Sequence, residues 1–259
     1  MSLDLHSDTH MHSTYSDGSA TILAMAEAAF EKGMTTIAIT DHVPLPFDTR
    51  YAMKMEQVAA YRREITRVRG AFEGRMAVKA GLEIEYIPGH KDWLASIASM
   101  DWDLTIASVH TLVVGSTPCL VNGNGAEFHT CLDKNFNQDI ISLCRAYYQT
   151  LQEAIQTGWF DIVGHLDVLK KYNTNNRFFN ETDDWYQKLV EDTLDAVRDR
   201  RMKLEINMGA MAHPVAVPYP SPWIVKRAQK KGIALVMGSD AHHPGAIGQD
   251  FDRIRKMLA

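Results

Sequence analysis

The sequence predicts an α/β fold in which strands and helices alternate and the strands form a parallel sheet. Apolar runs such as TTIAIT (35–40) and IALVMG (233–238) suit strands that helices cover on both faces. About seven strand-and-helix units follow one another, which suggests a barrel. With 259 residues and 46% hydrophobic content, the chain has the size of one such barrel. We therefore expect a single domain over residues 1–259.

Capping residues and breakers place the elements in order. LHSDTHMH alternates as a strand does, and Ser19 or a neighbour can cap the helix that ends at Gly33. Pro44 and Pro46 stop regular structure after the second, β-branched strand. A long stretch then carries apolar side chains at helical spacing. The predicted strands are 5–12, 35–42, 76–87, 103–110, 160–167, 203–209 and 233–240, and the predicted helices are 20–33, 54–72, 138–157, 184–201 and 221–231.

The segment GSTPCLVNGNGAEFHT (115–130) is rich in glycine and asparagine. It is the longest segment that we expect to be irregular. A long loop after a strand that carries site residues is a candidate lid or substrate-contacting element.

Composition argues against several classes of protein. The net charge is −5 and no basic run is longer than the mixed-charge RDRRMK near residue 200, which disfavours a nucleic-acid surface. No apolar run approaches the ~18 to 20 residues of a membrane span, and the N-terminus lacks the pattern of a signal peptide. Cys119, Cys131 and Cys144 contain no C-x-x-C pair, so we expect no disulfide framework. We expect a cytoplasmic protein that binds neither membranes nor long nucleic acids.

Histidines and acids recur where the predicted strands end. His10 and His12 lie two residues apart on a strand, so both imidazoles point to one face and can hold one ion together. In a barrel, the carboxyl ends of the strands meet at one mouth. Imidazole with carboxylate suits zinc, iron or manganese better than calcium or magnesium, so a polynuclear transition-metal site is predicted. Further residues at such positions are His42, Glu83, His110, His165, Asp240 and His242.

Ordered motifs extend this interpretation: DTHMH, SDG, TDHVPLP, GLEIEYIPG, SVH, GHLDVLKKY, YPSP and GSDAHHP follow one another along the chain. In these motifs the chain resembles the polymerase and histidinol phosphatase (PHP) superfamily, and within it the histidinol-phosphate phosphatases. The resemblance implies a distorted (β/α)7 barrel, similar to a TIM barrel. It also implies three divalent metal ions, usually zinc, iron or manganese, at the carboxyl ends of the strands.

The resemblance further implies which residues hold the ions, in three groups of which two share Glu83. The first group is His10, His12, Glu83 and Asp240, the second is Glu83, His110 and His165, and the third is Asp17, His42 and His242.

The chain departs from the family pattern at two places. Asp17 stands where many bacterial histidinol phosphatases use a histidine, which keeps a ligand but can change the metal preference. Family members often carry a basic residue after the strand that corresponds to LEINMG, whereas this chain offers only His213 there. Phosphomonoester hydrolysis is therefore better supported than the identity of the substrate.

The predicted chemistry is attack on phosphorus by a hydroxide that the metals activate, with Asp240 and Glu83 in the catalytic centre. The leaving alcohol needs a proton, for which His243 and Asp167 are candidate donors. Asp41 is predicted to orient a ligand histidine, because its side chain points to the opposite face from His42. The candidate phosphate contacts are Lys170, Lys171, Arg50 and His213.

The leading hypothesis is a phosphatase that converts L-histidinol phosphate to L-histidinol and phosphate in histidine biosynthesis. One alternative is a PHP phosphoesterase that acts on nucleotides or another phosphomonoester. A second is a metal-holding partner protein without catalysis, although structural sites usually close with four ligands per ion. An amidohydrolase is a third, since barrel architecture alone does not choose the chemistry. The sequence names no surface for self-association.

Overall fold

The centre of the molecule is a sheet of seven parallel strands in the order β1-β2-β3-β4-β7-β8-β9, as seen in a computed structural model that describes residues 3–46, 50–212 and 216–258. Two further strands, β5 and β6, form a separate antiparallel hairpin. The strands are β1 (Ser7–Asp8), β2 (Thr36–Ile39), β3 (Ala77–Glu85), β4 (Leu104–Ser108), β5 (Thr111–Val114), β6 (Thr117–Leu120), β7 (Ile162–Val163), β8 (Lys203–Asn207) and β9 (Leu235–Gly238).

Backbone hydrogen bonds join the first strand to the last. The amide of Thr9 donates to Met237 O at 2.9 Å, and the amide of His12 donates to Ala241 O at 2.9 Å. The sheet is thereby nearly closed into a barrel, as the sequence predicts. Each of the seven predicted strands is present, although the regular pairing is shorter than the predicted ranges, because the site residues continue the strands as irregular backbone.

The helices surround the sheet, and capping residues mark where they begin and end. Thr21 Oγ1 accepts a hydrogen bond from Ala24 N at 3.2 Å and so caps the first helix, and Gly158 ends the fifth with a φ of +71°. No helix in the described part of the chain is both long and apolar enough to cross a bilayer. The helices are α1 (Ile22–Glu31), α2 (Val58–Ala71), α3 (Lys91–Ala98), α4 (Gly125–Phe136), α5 (Ile140–Thr157), α6 (Asp184–Asp199), α7 (Pro222–Lys230) and α8 (Phe251–Leu258).

The prediction of an irregular segment at 115–130 is wrong. The β5–β6 hairpin turns at Gly115, which has a φ of +63°, and α4 begins at Gly125. Asn124 and Glu127 form a reciprocal capping box that starts α4 despite the glycines beside it. Helices α3 and α8 are also absent from the predicted elements.

The expectation that no cysteines pair is also wrong. Cys119 in β6 and Cys131 in α4 form a disulfide that ties the hairpin to the helix. Cys144 is free and buried. The pairing depends on α4 folding back over the hairpin, and the cysteine spacing alone does not reveal that.

One buried tyrosine fastens a helix to the sheet next to the site. Tyr61 in α2 is fully buried, and its hydroxyl lies 2.9 Å from the carbonyl oxygens of Ile39 and Gly81. These carbonyls lie at the end of β2 and within β3. The helix therefore fixes the two strands whose ends carry His42 and Glu83.

Candidate metal centre

The carboxyl ends of the strands carry a dense cluster of imidazoles and carboxylates. Parallel strands bring these ends to one mouth, so residues distant in sequence become neighbours. All nine residues implied as ligands by the sequence lie in this cluster, at or after the ends of six strands: His10, His12 and Asp17 after β1, His42 after β2, Glu83 in β3, His110 after β4, His165 after β7, and Asp240 and His242 after β9.

Glu83 lies at the centre, and its two carboxylate oxygens face different histidines. Oε2 lies 3.4 Å from His10 Nε2 and 3.6 Å from His12 Nε2. Asp240 Oδ1 completes this first group at 3.2 Å from His12 Nε2. Oε1 faces the second group, at 2.9 Å from His165 Nε2 and 3.4 Å from His110 Nε2. One carboxylate thus joins two potential sites.

A third group surrounds Asp17. Its Oδ1 lies 3.3 Å from His242 Nε2, and its Oδ2 lies 3.7 Å from His42 Nε2. The other ring nitrogen of His42, Nδ1, lies 2.9 Å from Glu83 Oε2. His12 Nδ1 also faces Asp17 Oδ1 at 3.7 Å. The rings of His12 and His42 therefore connect the three groups into one continuous cluster.

The residues present fit divalent transition ions. His10 Nε2, both ring nitrogens of His12 and His42 Nδ1 are buried and form no hydrogen bond of acceptable geometry within the described part of the molecule, although each faces a carboxylate oxygen 2.9 to 3.7 Å away. Buried polar atoms are normally paired, so imidazole nitrogens that converge on carboxylates without hydrogen bonds form the donor arrangement expected of a cation site. The mixed nitrogen and oxygen donors match zinc, iron or manganese.

Burial and neighbouring charge set the protonation of the cluster. Burial raises the pKa of Glu83, but the surrounding histidines, His42 foremost, lower it by more, so the net pKa lies well below the usual range. Asp240 behaves in the same way, with His10 as its main cationic neighbour.

Burial and repulsion by other histidines lower the pKa of His12. Burial also lowers the pKa of His10, His42 and His165, but the neighbouring carboxylates raise it by more. The anionic carboxylates and a neutral His12 are forms that bind metal, whereas at the other three imidazoles metal must displace a more tightly held proton.

Two acids that the sequence analysis missed hold the ligand histidines in place. Glu205 Oε1 lies 2.6 Å from His10 Nδ1, and Glu205 Oε2 accepts a hydrogen bond from the amide of His165 at 2.8 Å. Glu85 Oε2 lies 2.6 Å from His110 Nδ1. Both acids are almost fully buried. The sequence did contain a signal for both residues, namely an acid inside an apolar strand, as in GLEIE and KLEIN. A buried acid needs a polar or cationic partner.

The cluster forms the floor of a cavity of about 1000 Å³, a size that suits a small metabolite. The predicted residues Arg50, Lys171 and His243 line it, as does Arg177, which the sequence analysis did not select. Lys171 Nζ donates to Asn122 O at 3.1 Å and has Asn122 Oδ1 and Gly123 O at 3.3 Å, but unlike Lys170 it is only partly buried and lines the cavity.

A sequence model of the PHP domain matches residues 8–209, which is more than half of the chain. The chain belongs to the PHP domain family. A Deinococcus radiodurans protein named "probable histidinol-phosphatase" is 34% identical to this PHP protein over 248 residues, which cover 94% of this chain and 89% of the relative.

Solved structures show the same fold. The histidinol phosphatase candidate hisK of Listeria monocytogenes superposes with a TM-score of 0.84 at 19% identity, covering 95% of this chain and 99% of that one. The histidinol phosphate phosphatase of Lactococcus lactis, complexed with zinc, L-histidinol and phosphate, has a TM-score of 0.75 at 22% identity, covering 97% and 93%. The predictions of family and of a seven-stranded barrel are confirmed.

Asp41 has a different role in this PHP protein from the one predicted. Its carboxylate accepts hydrogen bonds from Ser13 N at 2.8 Å, Ser13 Oγ at 2.7 Å and Ser16 N at 3.1 Å. It therefore orders the loop that carries Asp17 instead of orienting a ligand histidine.

One predicted substrate contact of the PHP protein, Lys170, and one predicted proton donor, Asp167, do not face the cavity. Lys170 is fully buried, and its Nζ donates to Pro218 O at 2.9 Å, to Ser221 Oγ at 2.5 Å and to Asp167 Oδ2 at 2.9 Å. All three ammonium donors are thus occupied, and Asp167 is equally buried. Neither residue reaches a phosphate group or a leaving oxygen in this arrangement. His213 lies outside the described residues.

Proposed function

We propose that this PHP protein is a metal-dependent phosphomonoesterase that hydrolyses L-histidinol phosphate to L-histidinol and phosphate. The observation that carries the proposal is the cluster around Glu83 at the floor of a metabolite-sized cavity whose wall is basic. The Deinococcus relative bears the name of this activity, and the Lactococcus structure holds both products with zinc.

Three divalent ions, of zinc, iron or manganese, form the proposed cofactor. His10, His12, Glu83 and Asp240 would hold the first, Glu83 with His110 and His165 the second, and Asp17, His42 and His242 the third. Ions held there would supply a nucleophile at neutral pH and offset the negative charge of the phosphoryl oxygens.

Basic residues on the wall bind and orient the phosphate in this proposal. Lys171 is partly buried, and its pKa is lowered by burial, with the carboxylates of Asp240 and Glu127 opposing that effect. Arg50 and Arg177 line the same cavity. Charge-assisted hydrogen bonds from such cations to phosphate oxygens hold the ester with its phosphorus toward the cluster.

His243 is the proposed proton donor to the leaving alcohol. It follows the ligand His242, lines the cavity and is exposed to it. An imidazole can hold a proton on one ring nitrogen and transfer it as the ester bond breaks. Asp167, the other candidate from the sequence, is sequestered by Lys170 and Ser221 and is no longer proposed.

The test is the rate of phosphate release by metal-loaded protein from L-histidinol phosphate and from a panel of sugar, nucleotide and amino-alcohol phosphates. We expect kcat/KM to be highest for L-histidinol phosphate, by several orders of magnitude. A nucleotide that is hydrolysed best would replace the proposed substrate and retain the phosphoesterase chemistry. No turnover of any ester by protein with full metal content would favour the non-catalytic alternative.

Two further proposals concern the extent of the domain and the location of the protein in the cell. We propose that the whole chain acts as one PHP domain, because β9 lies beyond the matched region yet pairs with the backbone after β1. We also propose that the protein acts in the cytoplasm, which cell fractionation tests. A reducing compartment would keep Cys119 and Cys131 as thiols, so alkylation before lysis also tests the proposed location, and recovery of the Cys119–Cys131 disulfide would contradict it.

A further inference from the structure

The cavity wall beyond the metal cluster carries a carboxylate that neither the predicted ligand set nor the proposed chemistry uses. It belongs to Glu127 in the first turn of α4. Every other acid among the described residues that line the cavity belongs to the cluster, namely Asp17, Glu83 and Asp240. A single anion on an otherwise basic wall is a potential contact for a cationic group of a ligand.

The backbone fixes this carboxylate in place. Glu127 Oε2 accepts a hydrogen bond from Asn124 N at 2.7 Å, and Glu127 N donates to Asn124 Oδ1 at 3.0 Å. A Cβ atom on Gly123 would overlap Glu127 Oε2, so glycine at that position leaves the room that the carboxylate needs. The anion is therefore presented by a rigid turn and loses little conformational freedom when it binds a partner.

The carboxylate is charged and has capacity for another donor. The amide of Asn124 lowers the pKa of Glu127, and Arg50 and Lys171 lower it further. Glu127 Oε1 contacts Arg50, whose side chain is 75% exposed. An exposed pair of this kind contributes little, and a carboxylate has about four acceptor sites, so a ligand ammonium can be added.

Lys171 relates Glu127 to the metal cluster. Lys171 lines the same cavity as Asp240 and Glu127, and its Nζ donates to Asn122 O at 3.1 Å, just before the start of α4. A phosphate bound by the cluster and Lys171 would leave the remainder of the substrate near Glu127. L-histidinol phosphate carries an ammonium group in that remainder, whereas sugar phosphates do not.

We propose that Glu127 binds the substrate ammonium and thereby selects amino-alcohol phosphates over phosphomonoesters that lack a cationic group; this rests on the proposed function. Glu127 is a specificity residue in this role and takes no part in the transfer of the phosphoryl group.

The experiment compares wild type, Glu127→Gln and Asp133→Asn on L-histidinol phosphate and on its analogue with hydrogen in place of the ammonium. The amide oxygen of the introduced glutamine would be an uncharged acceptor for Asn124 N, so the start of α4 is kept. Asp133 is an exposed acid on the same helix outside the cavity, and its variant has the same change in charge. We expect Glu127→Gln to lower kcat/KM for L-histidinol phosphate about tenfold or more through KM, and to leave the analogue unchanged. Asp133→Asn should behave as wild type.

Equal losses on both substrates, or no loss on either, would overturn the proposal. Binding of the product L-histidinol, measured by calorimetry, gives a second result that does not depend on turnover, and Glu127→Gln should weaken it by a similar factor. Wild type that hydrolyses both esters equally well contradicts the role of Glu127 and leaves the proposed phosphatase intact. Wild type that hydrolyses neither contradicts the proposed function, and calorimetry then still decides whether Glu127 binds the ammonium.

Discussion

Glu205 Oε1 lies 2.6 Å from His10 Nδ1, between two fully buried side chains that are 195 positions apart in sequence. The contact directs the opposite ring nitrogen, Nε2, toward Glu83 and Asp240. A carboxylate behind a ligand histidine fixes the ring and its proton and makes the free nitrogen a better donor to metal. Gly238 allows the approach, because a Cβ there would overlap Glu205 Oε1.

Glu205→Gln should therefore weaken metal binding by about 10- to 100-fold while the barrel stays folded. The measurement is competition with a chelator of known affinity, with circular dichroism as the check on folding. Glu27→Gln makes the same chemical change at an exposed position of α1 and should have no effect. Unchanged metal affinity in Glu205→Gln would show that the contact does not support the ligand.

Glu83→Gln should lower kcat/KM for phosphate release by at least about 1000-fold, because Glu83 faces two ligand groups and its charge contributes to both. The glutamine can still accept the hydrogen bond that Ser108 Oγ donates at 2.6 Å, so the local structure is retained. Elemental analysis should show less bound metal. A variant with near wild-type turnover would refute the central position of Glu83.

Removal of metal should abolish turnover and lower Tm, because the buried carboxylates and imidazoles then lose their counter-charges. Addition of manganese, iron(II) or zinc should restore both properties, and calcium should not, since the donors include many imidazoles. Activity that persists in protein shown by elemental analysis to be metal-free would contradict the whole assignment of the site.

Lys170→Met should destabilise the protein by about 3–5 kcal/mol, because it leaves the buried carboxylate of Asp167 without its cation. Burial already raises the pKa of Asp167, with Lys170 opposing that effect, and loss of the lysine raises it further. When the pKa of a carboxyl group is higher in the folded protein than in the unfolded protein, the free energy of unfolding falls as the pH rises. The loss relative to wild type should therefore be larger at pH 8 than near pH 5.

Urea unfolding of both proteins at the two pH values measures this loss. The double variant Lys170→Met with Asp167→Asn should recover part of the stability at pH 8, since no unpaired charge remains. A loss that is independent of pH would mean that Asp167 stays protonated in the wild type. Turnover by folded Lys170→Met at wild-type KM would agree with its placement outside the cavity.

The strands, and the histidines and acids at their carboxyl ends, could be predicted because both follow from local pattern. An apolar run that stops at a histidine marks a strand and its carboxyl end at once, as His110 and His165 do. Glu205 and Glu85 escaped prediction because their partners depend on the register between strands that are distant in sequence. Adjacent lysines show the same limit: in the 3-10 helix Val168–Tyr172 after β7, Lys171 faces the cavity and Lys170 faces the interior. Residues Asn124 and Glu127 did contain a capping signal, which the glycines around them obscured.

The junction of β1 and β9 makes the candidate metal centre depend on contact between distant parts of the chain. His10 and His12 follow β1, whereas Asp240 and His242 follow β9, in each case 230 positions later. The first and third groups can assemble only when β9 has paired beside the backbone that follows β1. Metal bound by these groups would therefore stabilise only molecules in which the two strands have met, and a chain cut before β9 would keep an incomplete set of ligands and gain no folding free energy from the full centre.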